Sequence, residues 1–156
     1  MANAEIEVVG QNEVQLITAL YNDIFRPAKE PDFFLRRFRS RANEVMLVAH
    51  LDGKPVGFAT GFELKPSTYF AWLCGVIQDA RRCGVASQLM EALHHWARDQ
   101  GYRNARFECY SKHRPMLHLA IKAGYDIVGL RWDTDGHDNL IIFEMDLAAD
   151  GERYPE

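Results

Sequence analysis

Val76-Ile77-Gln78-Asp79-Ala80-Arg81-Arg82-Cys83-Gly84-Val85-Ala86-Ser87-Gln88-Leu89-Met90 is the stretch whose reading decides the fold. The aromatic and β-branched segment Thr68 to Ile77 leads into it as a strand. Ser87 to Gln100 leaves it with Leu89, Met90, Leu93, Trp96 and Ala97 at helical spacing and stops at Gly101. A strand therefore turns through a loop of small residues and enters a helix directly. The first amides of such a helix have no partners inside it and carry partial positive charge, so the terminus suits phosphate. Gly84 and Ala86 keep the surface low enough for an anion to reach the backbone, and Arg81 and Arg82 add charge nearby. On composition alone, a plain turn with solvated arginines is an equal alternative.

Working outward, Glu5 to Val9 alternates as a first strand, and Asn12 can cap a helix carrying Val14, Leu16, Ile17, Leu20, Tyr21 and Ile24. That helix ends near Phe25-Arg26-Pro27, because the residue before proline avoids helical angles. Pro31 opens a second helix, with Phe33, Phe34, Leu35 and Phe38 as its apolar face and Arg36, Arg37, Arg39 and Arg41 as a solvated rim. Val45 to His50 and Pro55 to Phe62 are strands joined through Asp52-Gly53, the pair that supplies the positive φ angles of a tight hairpin. Beyond Gly101, Arg106 to Tyr110 reads as a strand, Pro115 to Lys122 as a short helix ended by Gly124, and Tyr125 to Arg131 and Leu140 to Leu147 as two strands. The tail 148–156 is polar and expected to fray. The result is one α+β domain over residues 1–156, with an ordered core of about 5–147 and the order βααβββαβαββ.

A chain of 156 residues with 47% hydrophobic and 26% charged residues buries a core without disulfide or metal, so neither disorder nor a two-domain enzyme is expected. The formal charge of -4 speaks against general binding of nucleic acid, and no apolar run has the length of a membrane span. Cys74, Cys83 and Cys109 are odd in number and match no zinc spacing, and no charged-then-apolar leader is seen, which points to a reduced cytoplasm. His94 and His95 are adjacent on a helix and point about 100° apart, so they do not share a metal easily; with His118 they are expected at the surface.

The loop lacks both the lysine and hydroxyl of GxxxxGK(S/T) and the glycines of GxGxxG. Its spacing, Arg-x-x-Gly-x-Ala at Arg81, Gly84 and Ala86, resembles the signature of the GNAT superfamily of N-acetyltransferases. Val76 matches the valine that precedes the signature, Gln78 replaces the common proline, and Gly124-Tyr125 looks like the family's later Gly-Phe. The resemblance covers nearly the whole order of elements, Glu5 to Leu147. It implies a mixed, mostly antiparallel sheet of six or seven strands flanked by about four helices, and transfer of an acetyl group from acetyl-CoA to an amine. By the same resemblance the CoA pyrophosphate meets the backbone of Arg82, Cys83, Gly84, Val85, Ala86 and Ser87. Pantetheine pairs with a splayed edge at Cys74, Gly75, Val76 and Ile77, and the Cys74 amide polarises the thioester carbonyl.

Departures from the family are as informative. The histone-acetylating branch has a glutamate base where this chain has Phe70, and the tyrosine that often protonates the thiolate is here Ala120. The asparagine that often contacts CoA falls at about His113. Glu108 and Glu63 are the carboxylates nearest to the site, with Tyr110 a candidate acid; a solvated or salt-bridged side chain is the ordinary reading of each. The Cys74 thiol is expected to be a small buried hydrophobe.

Acceptor specificity in this fold implies Tyr21, Phe25, Arg26, Phe33 and Phe34 on one side and Tyr69, Trp72, Arg131 and Trp132 on the other. Such walls suit a small-molecule or peptide amine on an apolar or carboxylate-bearing body. Two other readings stand beside the enzyme: a catalytically silent CoA-binding module, motivated by Phe70 and Ala120, and a different phosphate ligand at the same helix. A homodimer is expected through Leu140 to Leu147 if that strand lies at an edge.

Overall fold

The computed structural model describes residues 2–147, so the tail 148–156 lies outside the described residues. The order of elements is the one expected: β1 (Glu5–Val9), α1 (Val14–Ile24), α2 (Pro31–Phe38), β2 (Val45–Leu51), β3 (Lys54–Lys65), β4 (Thr68–Val76), α3 (Val85–Asp99), β5 (Asn104–Tyr110), α4 (Arg114–Ala123), β6 (Asp126–Asp133) and β7 (Asp138–Asp146). One mixed sheet holds the seven strands in the spatial order β1-β2-β3-β4-β5-β7-β6. Only the β4–β5 pair is parallel, its two strands being joined through α3.

Local chemistry accounts for most boundaries. Asp52 and Gly53 both take positive φ, 52° and 78°, which lets β2 turn into β3 in two residues. Pro31 occupies the first turn of α2, where its missing N–H costs nothing. Gly124 ends α4 at φ 102°, and the following Tyr125 amide bonds back to the Ala120 carbonyl at 3.0 Å. Asn12 is not the cap of α1. A 3-10 turn over Gln11–Glu13, closed by the Glu13 amide on the Gly10 carbonyl, comes first, and α1 begins a residue later than its Asn12 cap would place it.

The helices divide between the two faces of the sheet. On the front, Tyr21 of α1 packs on Phe58 of β3, and Phe34 and Phe38 of α2 pack on Trp72 of β4. On the back, α3 runs beneath β2, β3 and β4 with Val85, Leu89, Met90 and Leu93 buried. Pairing of copies through Leu140 to Leu147, expected if that strand lay at an edge, does not have its edge: β7 is inserted between β5 and β6, so its backbone is paired on both sides and β6 is the outer strand. His94 is also corrected, because α3 turns it inward to a buried position. Its Nε2 lies 2.6 Å from the Tyr125 hydroxyl.

Candidate active site

Between β4 and β5 the sheet opens. The two strands pair only from Thr68 with Asn104 to Ala71 with Phe107, although β4 runs on to Val76 and β5 to Tyr110. Immediately past the last pair, β4 carries a bulge. Its register against β3 moves from Gly61–Ala71 to Thr60–Leu73, leaving Trp72 as the extra residue. The bulge bends β4 away from β5 and creates a wedge whose β4 side lacks a partner strand.

Alternation along the ladder settles which groups face that wedge. The Ile77 amide bonds to the Val56 carbonyl at 2.8 Å, which makes Ile77 and Gly75 the residues turned toward β3. Cys74 and Val76 then present their backbone groups to the wedge. Of the four residues expected to form the exposed edge, Gly75 and Ile77 are thus committed to β3. The Val76 carbonyl accepts from Arg81 Nε at 3.0 Å. Arg81 is therefore folded back on the strand end, and the Cys74 amide is the donor at the floor of the wedge.

At the mouth, Arg82 and Gly84 both adopt left-handed φ, 65° and 83°. Gly84 stands at the N-cap of α3 with no side-chain cap, so the first amides of the helix face outward without a local oxygen competing for them. The first backbone bond of the helix is from the Gln88 amide to the Gly84 carbonyl at 3.1 Å, leaving the amides of residues 84–87 as its orphan donors. Gln88 was not singled out by its sequence context, yet it orders this corner. Its amide nitrogen donates to the Ala2 and Gly84 carbonyls, and its oxygen accepts from the Ala4 amide. At the start of α4, loss of water and the Arg81 charge hold the His113 imidazole below its ordinary pKa. It is thus a neutral hydrogen-bonding group beside the loop.

On the front of the wedge stand Glu108 and Arg131. Glu108 is the first β5 residue past the last β4–β5 pair, and its Oε1 accepts from Arg131 Nε at 3.3 Å and Nη2 at 3.1 Å. Tyr110 lies two residues farther along β5 and donates its hydroxyl to Asp133; that bond is the main reason its pKa is pushed up to about 12. Phe25 sits close against the Gly75 backbone, where a Cβ would stand 2.9 Å from its ring. The Cys74 thiol faces the back, fully buried, and burial pushes it up to about 12.

The sequence matches the Acetyltransferase (GNAT) family over residues 14–125. The chain belongs to this family. No curated protein matches it by sequence. Among solved structures, the ribosomal-protein-S18-alanine N-acetyltransferase of Escherichia coli superposes with a TM-score of 0.80 at 16% identity, covering 99% of this chain and 100% of that one. An N-acetyltransferase from Staphylococcus aureus Mu50 gives 0.75 at 24% identity over 94% and 100%. The yncA protein of Salmonella typhimurium, solved with its cofactor acetyl-CoA, gives 0.75 at 16% over 99% of both chains. Identities of this size speak for the fold, which is the GNAT fold with seven strands and four helices.

Within this GNAT chain several residues expected near the acceptor are placed elsewhere. Glu63 pairs in register with Tyr69, five residues down β4 from Cys74 and thus roughly 16 Å away along the strand. Its Oε1 accepts from the Tyr102 hydroxyl at 2.8 Å. Tyr69 is 1% exposed, stacked against Trp96 and Tyr102 on the back face, with its hydroxyl on the Asn43 carbonyl. Arg26 caps the end of α1 through the Asn22 and Phe25 carbonyls. Tyr21 and Phe34 are buried in the front core. Trp132 projects from the face opposite Arg131, as strand alternation requires. Trp72, Phe25 and Arg131 remain at the wedge. Phe70 meets Phe62 edge to face and Ala120 is fully buried, so neither position supplies a proton-transfer group.

Proposed function

We propose that this chain is an acetyl-CoA-dependent N-acetyltransferase that transfers the acetyl group directly to a primary amine. The observation that carries the reading is the wedge between β4 and β5, with the Cys74 amide at its floor and the start of α3 at its mouth. An extended chain with two amides and a pyrophosphate matches that sequence of an open strand edge followed by orphan helix amides. The residues present thus fit acetyl-CoA, which supplies an activated acyl group when bound. The amides around Arg82, Cys83, Gly84, Val85, Ala86 and Ser87 would hold the pyrophosphate, and His113 would hydrogen-bond from the opposite side.

The Cys74 amide is aimed where negative charge grows on the carbonyl oxygen during attack, a contribution worth several kcal/mol in a dry site. Glu108 accepts the proton that the ammonium form of the acceptor must lose, with Arg131 holding its carboxylate in place. Tyr110 keeps its proton at neutral pH and orders the β6–β7 hairpin over the acceptor through Asp133. The thiolate that leaves takes its proton from water, since Ala120 replaces the usual tyrosine. A covalent route through Cys74 is disfavoured because its thiol is protonated throughout the working range.

Supporting surroundings are a reducing cytoplasm, in keeping with two buried thiols at Cys74 and Cys109, and a homodimer. Pairing of copies would use β6, the outer strand, where Ile127, Leu130 and Trp132 are exposed. Light scattering at assay concentration tests this, and a monomer mass removes it. Among the described residues no group of three or more His, Cys, Asp or Glu side chains is placed to hold a metal, and no helix is long and apolar enough to cross a membrane.

The test is thermal stability against acetyl-CoA, CoA, ATP and NAD, followed by thiol release with a panel of amines; a ligand at about 100 times its Kd adds about 2.7 kcal/mol. A shift with both CoA species, lost in Gly84→Val, together with turnover of an amine, supports the reading. Binding without turnover turns it into a silent CoA module, and a shift with ATP or NAD alone overturns it.

A further inference from the structure

We propose that Arg37 and Arg131 form an anion subsite beside the wedge, and that the acceptor is a small amine carrying a carboxylate. The inference rests on the acetyltransferase reading above and narrows its substrate. On the front, α1 and α2 pack on β3 and β4, and the mouth of the wedge, with Glu108 of β5 between Trp72 of β4 and Arg131 of β6, is the trough that would take the acceptor. Arg37, on the last turn of α2, leans over one rim with its guanidinium 5.1 Å from the Trp72 ring centre. Arg131 occupies the other rim, its side chain 52% exposed, while the Glu108 carboxylate that it holds is only 14% exposed.

The charges around Arg37 are Arg41 and Arg131, which repel it, and Glu108. Arg41 is itself laid over Phe62 at 5.0 Å. Asp133 also feels Arg131, but its carboxylate accepts from Tyr110 and from the Gly136 amide, away from α2. Arg131 is held by Glu108, Arg36 and Arg39 reach Asp32, and Arg106 is bonded to Glu144 at 2.6 Å, so Arg37 and Arg41, each laid over a ring, are left without an ion pair among the described residues. Three arginines, Arg37, Arg41 and Arg131, against the one carboxylate of Glu108 leave the trough net positive in a chain whose formal charge is -4. The Arg37 guanidinium, within cation–π reach of the indole, offers a planar fork of N–H donors that suits a carboxylate.

An amino-acid-like zwitterion satisfies both ends of the trough. Its carboxylate lies on the Arg37 and Arg131 edges, its amine beside Glu108 below the Cys74 amide, and its side chain against Trp72 and Phe25. A plain alkylamine would leave the arginines facing water and gain nothing from them.

Matched pairs test the assignment: phenylalanine against phenethylamine, tryptophan against tryptamine, and a phenylalanine-led tripeptide as a third arm, each read as thiol release from acetyl-CoA. The wild type favours the carboxylate-bearing member in kcat/KM by about tenfold or more, the size of a charge-assisted hydrogen bond. Arg37→Gln brings the ratio close to one, with the loss falling on KM for the amino acid; Arg37→Lys restores part of it, and Arg36→Gln on the outer side of α2 leaves it intact. Acetyl-CoA thermal shifts on each variant show that the fold and donor site are retained. Equal kcat/KM within every pair, or a preference that survives Arg37→Gln, overturns the subsite and leaves the acetyltransferase standing. Preference for the tripeptide overturns the small-molecule assignment. No turnover anywhere, with acetyl-CoA still bound, overturns subsite and transferase together.

Discussion

At Cys74 the backbone and the side chain serve different ends. Strand alternation turns the amide into the wedge, while the thiol points back into the core and burial pushes it up to about 12. Cys74→Ala is therefore expected to keep kcat within about twofold, since no covalent step is lost. Iodoacetamide at pH 8 should leave Cys74 unlabelled in the native protein, as peptide mass analysis will show. Loss of turnover in Cys74→Ala with acetyl-CoA binding retained would restore the covalent route. The two glutamates separate in the same way. Glu108→Gln should lower kcat by about 10²-fold or more, as removal of a general base does. Glu63→Ala should leave kcat unchanged and cost about 1 kcal/mol in melting, the worth of its bond from Tyr102. These two residues look alike in sequence, because Glu63 ends the hairpin strand and Glu108 lies within the strand beside the expected cleft. Only the register of β3 against β4 shows that Glu63 lies far from Cys74.

The elements were legible wherever local chemistry decides them. Asp52-Gly53, Pro31, Gly101 and Gly124 each mark a boundary through a φ requirement or a missing N–H, and the order βααβββαβαββ follows from them with hydrophobic periodicity, although α3 begins at Val85, two residues before the expected Ser87. Non-local pairing was not legible. Nothing in Leu140 to Leu147 reveals that β7 passes between β5 and β6, since a strand paired on both sides and an edge strand can carry the same alternation. The β6–β7 hairpin also has its own pH signature. Asp133 is held below the ordinary carboxylate range chiefly by the Tyr110 hydroxyl, so its contribution is present above about pH 4 and lost as pH falls through the lower folded value. Tyr110 is raised by the same bond, so its contribution is present below about pH 10 and lost as pH rises toward about 12. The melting difference between wild type and Tyr110→Phe should accordingly be widest from about pH 5 to 9, narrow at both ends, and shrink in high salt because Asp133 is solvent-facing. A difference independent of pH would show that the bond is absent.

For the whole molecule, the wedge that makes a site also divides the sheet. The β1–β4 half and the β5–β7–β6 half meet through only the pairs from Thr68–Asn104 to Ala71–Phe107. Beneath that joint lies a buried cluster in which Tyr125 packs on Phe107 and Phe143 and its hydroxyl meets His94 of α3. His94 thus ties the helix under one half to Tyr125, just before β6, in the other, and it is buried with Met90, Leu93 and Ala97 on the face that helical spacing selects, not at the surface as expected of the His94-His95 pair. Burial raises the Tyr125 phenol well above its ordinary value, so the hydroxyl stays neutral at any working pH and the tie does not titrate from that side. Tyr125→Phe removes the hydrogen bond but keeps the ring, and should cost about 1–3 kcal/mol because His94 stays buried at that nitrogen. The loss should appear as a melting point lower by several degrees. Hydrogen exchange should quicken in β5 and the last residues of β4 before it quickens in β1–β3, because the joint is what the bond secures. On the proposed reading acetyl-CoA would span the wedge between the two halves, so saturating acetyl-CoA should shift Tyr125→Phe upward at least as far as the wild type. A uniform rise in exchange across all seven strands would show instead that the sheet melts as one unit, with the dyad contributing only to global stability.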